Sequence, residues 1–493
     1  MRKAVAALLA AVLAPIACAC SREAKSPSCL VSTDEGRVQG LDQGSSCAYL
    51  GIPFAAPPVG PLRWQRPQPM RSWSPATLQA TVEPPVCAQV SPEGSGILRG
   101  TEDCLTLNIW TANTPRASAA PVIVWIHGGG FTAHSGQIAD RDVRHLIART
   151  GAVIVSVNYR LGPFGFLALG ALTHENPGYP SAGNYGLLDQ RAALVWIRDH
   201  IAAFGGDPGD VTIAGQSAGA HSASLHVVSP LSKGLFTRAI MQNGWASTRW
   251  RTRAEAEALG EDFAAALRCT EPAKMLTCLR SQSPEQILLA LPTGLEQFAE
   301  TARAPWGPNV DGLEVPDQPR ALYETGRFNR VPLVLGTVRD EGWVLVDRSF
   351  PSDLTEPVYD AEIEAEFGTA DAPRIRARYP LAEFRSPKHA LARITGDVES
   401  VCEARRIAVL AARAGTQVVA YSVDRATKTI DQDPEEGVRP LFDFMGDAWH
   451  QLEAGDYRAI ASRREWSPAA APCDLWDPLF LASVAGSVPA SMR

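Results

Sequence analysis

Two short, nearly continuous apolar runs stand out along the chain: PVIVWI over residues 121–126 and AVIVSV over residues 152–157. Each is too short for a helix and lacks the in–out alternation of a half-exposed strand. Both therefore predict central strands buried on both faces. Further strands are predicted at residues 211–214 (VTIA), 331–335 (VPLVL) and 417–423. Over residues 184–204, Leu187, Leu188, Leu194, Val195, Ile197 and Ile201 recur at helical spacing, and the Gly/Pro cluster at 205–209 predicts the end of that helix. Such strand–helix alternation implies an α/β fold with a large, mostly parallel sheet flanked by helices. Proline-rich stretches at 52–69 and 73–85 predict an irregular surface meander ahead of it.

Composition narrows the class. The 493 residues are 45% hydrophobic and 20% charged, a balance that suits a folded globular protein and not a disordered one. Lys and Arg number 46 against 53 Asp and Glu, so no basic surplus points to nucleic acid. Arg2 and Lys3, the apolar run from Ala4 to Ala17 and the small residues around Cys18 read as an export signal over residues 1–19. The mature chain then begins near Cys20. The same spot loosely resembles a bacterial lipobox, which makes a lipid anchor on Cys18 or Cys20 the alternative. The expected location is secreted or periplasmic, with lipoprotein as the second reading. Residues 151–172, interrupted by Asn158, Tyr159 and Arg160, read as a strand and loop, not a membrane span.

Export gives the cysteines meaning. Eight remain beyond the leader, and an even count in an oxidising compartment suggests disulfides. Short separations favour Cys29–Cys47, Cys87–Cys104 and Cys269–Cys278, leaving Cys402 with Cys473. No Cys-x-x-Cys pair supports a metal site.

The segment that carries chemistry is VTIAGQSAGAHSASLHVV, residues 211–228. A strand runs through Gly215-Gln216-Ser217-Ala218-Gly219 into a helix, the G-x-S-x-G arrangement that exposes a serine nucleophile on a strained turn. Glycines two residues either side of Ser217 suit a crowded turn with no room for side chains. His127-Gly128-Gly129-Gly130-Phe131 follows the strand at 121–126. Backbone N–H groups of Gly129 and Gly130, with that of Ala218, could converge there as an oxyanion hole.

Further motifs extend the pattern: Leu50-Gly51-Ile52-Pro53-Phe54-Ala55, Glu102-Asp103-Cys104-Leu105, Gly183-Asn184-Tyr185-Gly186-Leu187, Phe204-Gly205-Gly206-Asp207-Pro208 and Asn309-Val310-Asp311-Gly312. On these residues the chain resembles the type-B carboxylesterases, the branch of the α/β-hydrolase superfamily that includes the cholinesterases. The resemblance implies an α/β-hydrolase fold, one domain over residues 20–493, and hydrolysis of a small-molecule ester without a cofactor or metal. It also supports the bonds Cys87–Cys104 and Cys269–Cys278. Asp340-Glu341-Gly342 matches the family's Asp-Glu-Gly, which makes Glu341 the acid that orients a histidine, ahead of Asp340. Only His389 and His450 follow it. His389 reads as part of an ordinary helix. His450 resembles the histidine of the family's Gly-x-x-His-x-x-Glu, with one extra residue, and is the expected base. From about residue 428 the tail is atypical, lacking the family's aromatic strand.

Departures from the family bear on substrate. Gln216 replaces the Glu of cholinesterases, and residues 88–103 hold no Trp to stack on a quaternary ammonium. Choline esters are therefore not expected. Trp245 and Trp250 are expected on the acyl side, whereas His221 and His226 read as packing residues. Two other readings stand beside the esterase: a binding protein that has lost catalysis, and a hydrolase of amide, carbamate or lactone bonds.

Overall fold

The computed structural model describes residues 29–91, 97–113, 117–138, 140–244, 249–291, 306–338, 341–423 and Cys473. Its core is an eleven-stranded sheet. The strands are β1 (Leu30–Thr33), β2 (Gly36–Asp42), β3 (Ser46–Pro53), β4 (Thr77–Ala80), β5 (Thr106–Ala112), β6 (Ala120–Ile126), β7 (Val153–Val157), β8 (Gly206–Gln216), β9 (Arg238–Gln242), β10 (Leu333–Val338) and β11 (Val418–Val423). Spatially they run β1-β2-β3-β5-β7-β6-β8-β9-β10-β11, with β4 alongside β2. From β7 to β11 every pairing is parallel, as the apolar runs predict. The first strands differ: β1–β2, β2–β3, β3–β5 and β5–β7 are antiparallel.

Burial of β6 and β7 follows from their period of two. Val122, Val124, Val153, Val155 and Val157 enter one apolar cluster. Their neighbours Ile123, Trp125 and Ile154 enter a second on the opposite face, against Val143, Leu146 and Ile147 of helix α1 (Asp140–Thr150). The predicted helix is α2 (Tyr185–His200), with Leu187, Leu188, Leu194 and Ile197 buried. A 3₁₀ turn, Ile201–Phe204, continues it to Gly205, whose φ of 84° makes the left-handed cap. Asp189 of α2 is also buried, and its charge is met by Arg160 at 2.7 Å.

Two predicted boundaries shift. β8 starts at Gly206, not Val211, because Gly206 already pairs with Ala120 across an irregularity in the register. β10 starts at Leu333 because Pro332 has no N–H to give a ladder, and it runs on through Gly336 to Val338. The bonds Cys29–Cys47, Cys87–Cys104, Cys269–Cys278 and Cys402–Cys473 are all formed. Among the described residues no helix is long and apolar enough to cross a membrane. The leader, with Cys18 and Cys20, and the tail from 428, apart from Cys473, lie outside the described residues.

Candidate active site

Ser217 sits between the end of β8 and helix α3 (Ala218–Val228), with φ 54° and ψ −123°. A non-glycine residue in that conformation is strained, and it persists only where its surroundings over-determine it. The surroundings are tight. A Cβ added at Gly219 would lie 1.9 Å from the Ile126 carbonyl oxygen, and one at Gly215 would lie 2.3 Å from the Gly219 backbone. Gly219 therefore lets the start of α3 press against the end of β6, and Gly215 lets it fold back on the end of β8. The Ser217 N–H donates to the Gln242 carbonyl at 2.9 Å, and the Ser217 carbonyl accepts from the His221 N–H at 2.9 Å.

The glycine loop leaves β6 beside this turn. Gly129 and Gly130 have φ of 98° and 60°, and the Gly129 carbonyl accepts from both Thr132 and Ala133. A Cβ on Gly128 would meet the Gln216 carbonyl oxygen at 2.8 Å and the Ser217 Cβ at 3.3 Å, so the loop lies directly on the serine turn. Behind it, His127 is buried with its ring stacked on Tyr159 at 4.4 Å, and the Tyr159 hydroxyl donates to the His127 carbonyl. Burial pushes the His127 imidazole down to about 3, so it stays neutral.

Glu341 stands just after β10, at the start of helix α4 (Gly342–Ser349). One Glu341 carboxylate oxygen accepts from Asn243 Nδ2 at 2.9 Å. Burial pushes the Glu341 carboxyl up to about 7. Asn243 is the residue that ties the site together. It follows β9 with φ 49°, its N–H donates to the Gly336 carbonyl, and its Oδ1 accepts from the Val338 N–H. Asparagine tolerates that left-handed backbone better than most residues. Ser217 is bound to Gln242 and Glu341 to Asn243, so two adjacent positions at the end of β9 set both groups at one edge of the sheet. Gly342 contributes as well. A Cβ there would lie 2.2 Å from the Ala392 carbonyl of helix α5 (Pro387–Gly396), so the glycine lets α4 begin against α5.

His389, on α5, packs at a tilt against Trp343 with ring centres 4.5 Å apart and shares a 3.0 Å hydrogen bond with Ser386. Its ring belongs to a helix contact, as the sequence suggests. His450, Asp340 and Trp245 lie outside the described residues. Trp250 is described, and Gln318 clamps its backbone through both N–H and carbonyl. The Trp250 ring packs edge-on to Phe131 at 5.9 Å and to His221 at 5.5 Å. Asn243 was not read from the sequence, because it follows a strand, β9, that the hydrophobic pattern did not predict.

Comparison with known proteins gives a consistent answer. The profile of the carboxylesterase family matches residues 27–453, a span that includes Ser217, Glu341 and His450. The chain is 35% identical to an acetylcholinesterase of Bungarus fasciatus over 441 residues, covering 83% of this chain and 71% of that protein. It is 36% identical to a fumonisin B1 esterase of Sphingopyxis macrogoltabida over 395 residues, covering 79% and 69%. With an acetylcholinesterase of Electrophorus electricus it shares 38% over 340 residues, 64% of this chain but only 52% of that one.

Proposed function

The chain belongs to the carboxylesterase family, and from that premise we propose that it hydrolyses carboxylic esters through an acyl-enzyme on Ser217. The Ser217 hydroxyl adds to the ester carbonyl while His450 takes its proton, and the carbonyl oxygen becomes an oxyanion held by the N–H groups of Gly129, Gly130 and Ala218. The intermediate collapses, the alcohol leaves with the proton from His450, and water repeats the sequence to release the acid. Glu341 holds the imidazole in the tautomer that accepts at the serine side. Each oxyanion donor is worth about 3 kcal/mol, so the glycine loop carries a large share of the rate.

The observation that supports this reading most is the strained backbone of Ser217, imposed by contacts that leave no space for a Cβ at Gly215 or Gly219. A purely structural serine gains nothing from that strain. The departures at Gln216 and in the loop after Cys87 favour uncharged esters over choline esters. The four disulfides and the export signal favour a protein that works outside the cytoplasm, as one catalytic domain over residues 20–493. Turnover of p-nitrophenyl esters by the wild type, Ser217→Ala and His450→Ala tests the proposal. Loss in both variants is expected. Turnover retained by Ser217→Ala refutes it, and a wild type inert to every ester would favour the binding-protein reading.

A further inference from the structure

We infer that His221 selects the acyl part of the substrate by a hydrogen bond, and that the preferred esters carry an oxygen on the acyl chain, as in hydroxyacyl esters. The inference rests on the acyl-enzyme reading of Ser217 and adds to it a substrate class.

His221 lies one turn into α3 after Ser217. Side chains on a helix lean toward its N-terminus, so the His221 ring leans back toward the serine turn. Its ring neighbours agree with that direction. They are Phe131, which directly follows the glycine loop, at 6.5 Å, and Trp250 at 5.5 Å. The residue is half-buried, so part of its surface reaches open space.

Its polar atoms set it apart from the other histidine of the same helix. His226 is buried and has both ring nitrogens engaged, one with Ser232 at 2.9 Å and the other with Gln190 at 3.0 Å. That is a satisfied packing residue. The His221 ring makes no hydrogen bond to any described residue, and its described ring contacts are aromatic. Because part of the residue reaches open space, a ring nitrogen without a protein partner meets water when the site is empty and a polar substrate atom when it is filled.

The chemistry of the partner follows from the surroundings. Burial pushes the His221 imidazole down to about 4, so near neutrality it is uncharged and offers one N–H donor and one acceptor. The aromatic walls disfavour a charged acyl group that would arrive without a counter-ion. A hydroxyl both accepts and donates, and it suits the site better than a bare alkyl chain. A plain apolar ester would leave the ring unpaired in the closed complex.

The test compares kcat/KM for p-nitrophenyl 3-hydroxybutyrate and p-nitrophenyl butyrate in the wild type, His221→Phe and His221→Gln. Phe preserves the aromatic packing without the hydrogen bond, and Gln preserves a donor and an acceptor. The ratio of hydroxybutyrate to butyrate should fall about fivefold to tenfold in His221→Phe and be largely kept in His221→Gln. Comparing ratios removes any intrinsic difference in reactivity between the two esters. An unchanged ratio in His221→Phe overturns the inference, and so does an equal fall in His221→Gln. Ser217→Ala distinguishes the underlying reading: if it still turns over both esters, the acyl-enzyme assignment fails and this inference with it.

Discussion

The bond between Cys402 and Cys473 should contribute more to stability than any of the other three. It joins Cys402, the first residue of helix α6 (Cys402–Arg413), to a cysteine across 71 positions of sequence, whereas Cys269–Cys278 spans only 9. In the chain-entropy model a cross-link removes freedom from the unfolded chain in proportion to the logarithm of the loop it closes. The long loop then gives about 4.4 kcal/mol at 25 °C and the short one about 2.6, a difference of about 1.8 kcal/mol. Cys402 and Cys473 are both fully buried, in a cluster with Tyr359, Ile363 and Leu391. Alanine is the suitable replacement, since serine would bury an unpaired hydroxyl. The double variants Cys402→Ala/Cys473→Ala and Cys269→Ala/Cys278→Ala are to be unfolded in urea without reductant and followed by tryptophan fluorescence. The long-loop variant should have the lower midpoint. His450 lies within the long loop, so ester turnover should fall further in that variant too. If the short-loop variant is equally or more destabilised, the entropic argument is refuted.

Other expectations concern the site and its supports. Asn243→Gly keeps the left-handed backbone but removes the amide from Glu341. A hydrogen bond to a carboxylate is worth about 1.5–3 kcal/mol, so kcat/KM should drop at least about tenfold with circular dichroism unchanged; an unaltered rate would remove Asn243 from the account. Gly219→Ala forces a methyl group onto the Ile126 carbonyl and must displace the glycine loop. Its ester turnover should fall on the order of a hundredfold, and wild-type rates would contradict the packing. His226 is buried, and its ring is pushed down to about 3, below its unfolded value of about 6.5. Between those limits the unfolded chain holds the extra proton. The stability that the buried neutral ring preserves is therefore complete above about 6.5 and lost as pH falls. The stability advantage of the wild type over His226→Gln should shrink by about 2 kcal/mol from pH 7.5 to pH 5, read from urea curves, and a constant advantage would contradict the linkage.

How much of this was legible in the sequence depended on whether the physics was local. The strands at 121–126 and 152–157 were, because burial on both faces writes an unbroken apolar run, and they appear as Ala120–Ile126 and Val153–Val157. The helix after Asn184 was legible from its spacing, and the serine turn from two glycines whose missing side chains are now accounted for contact by contact. The strands from Leu30 to Ala112 were not read. They are interrupted by turns and mix buried Asn108 and Ser46 with apolar neighbours, so their pattern matches no simple period. Asn243 escaped for a different reason. Its contacts with Glu341 and Val338 come from strands brought together across the fold, and nothing within a few residues announces them.

The central claim is that Ser217 is the nucleophile. Treating the purified protein with a fluorophosphonate and mapping the adduct by peptide mass spectrometry tests it most directly, since such reagents react far faster with an activated serine than with an ordinary hydroxyl. A single adduct is expected, on the peptide that carries Ser217, blocked by a turned-over ester and absent from Ser217→Ala. An adduct on another serine, or undiminished labelling of Ser217→Ala, would contradict it.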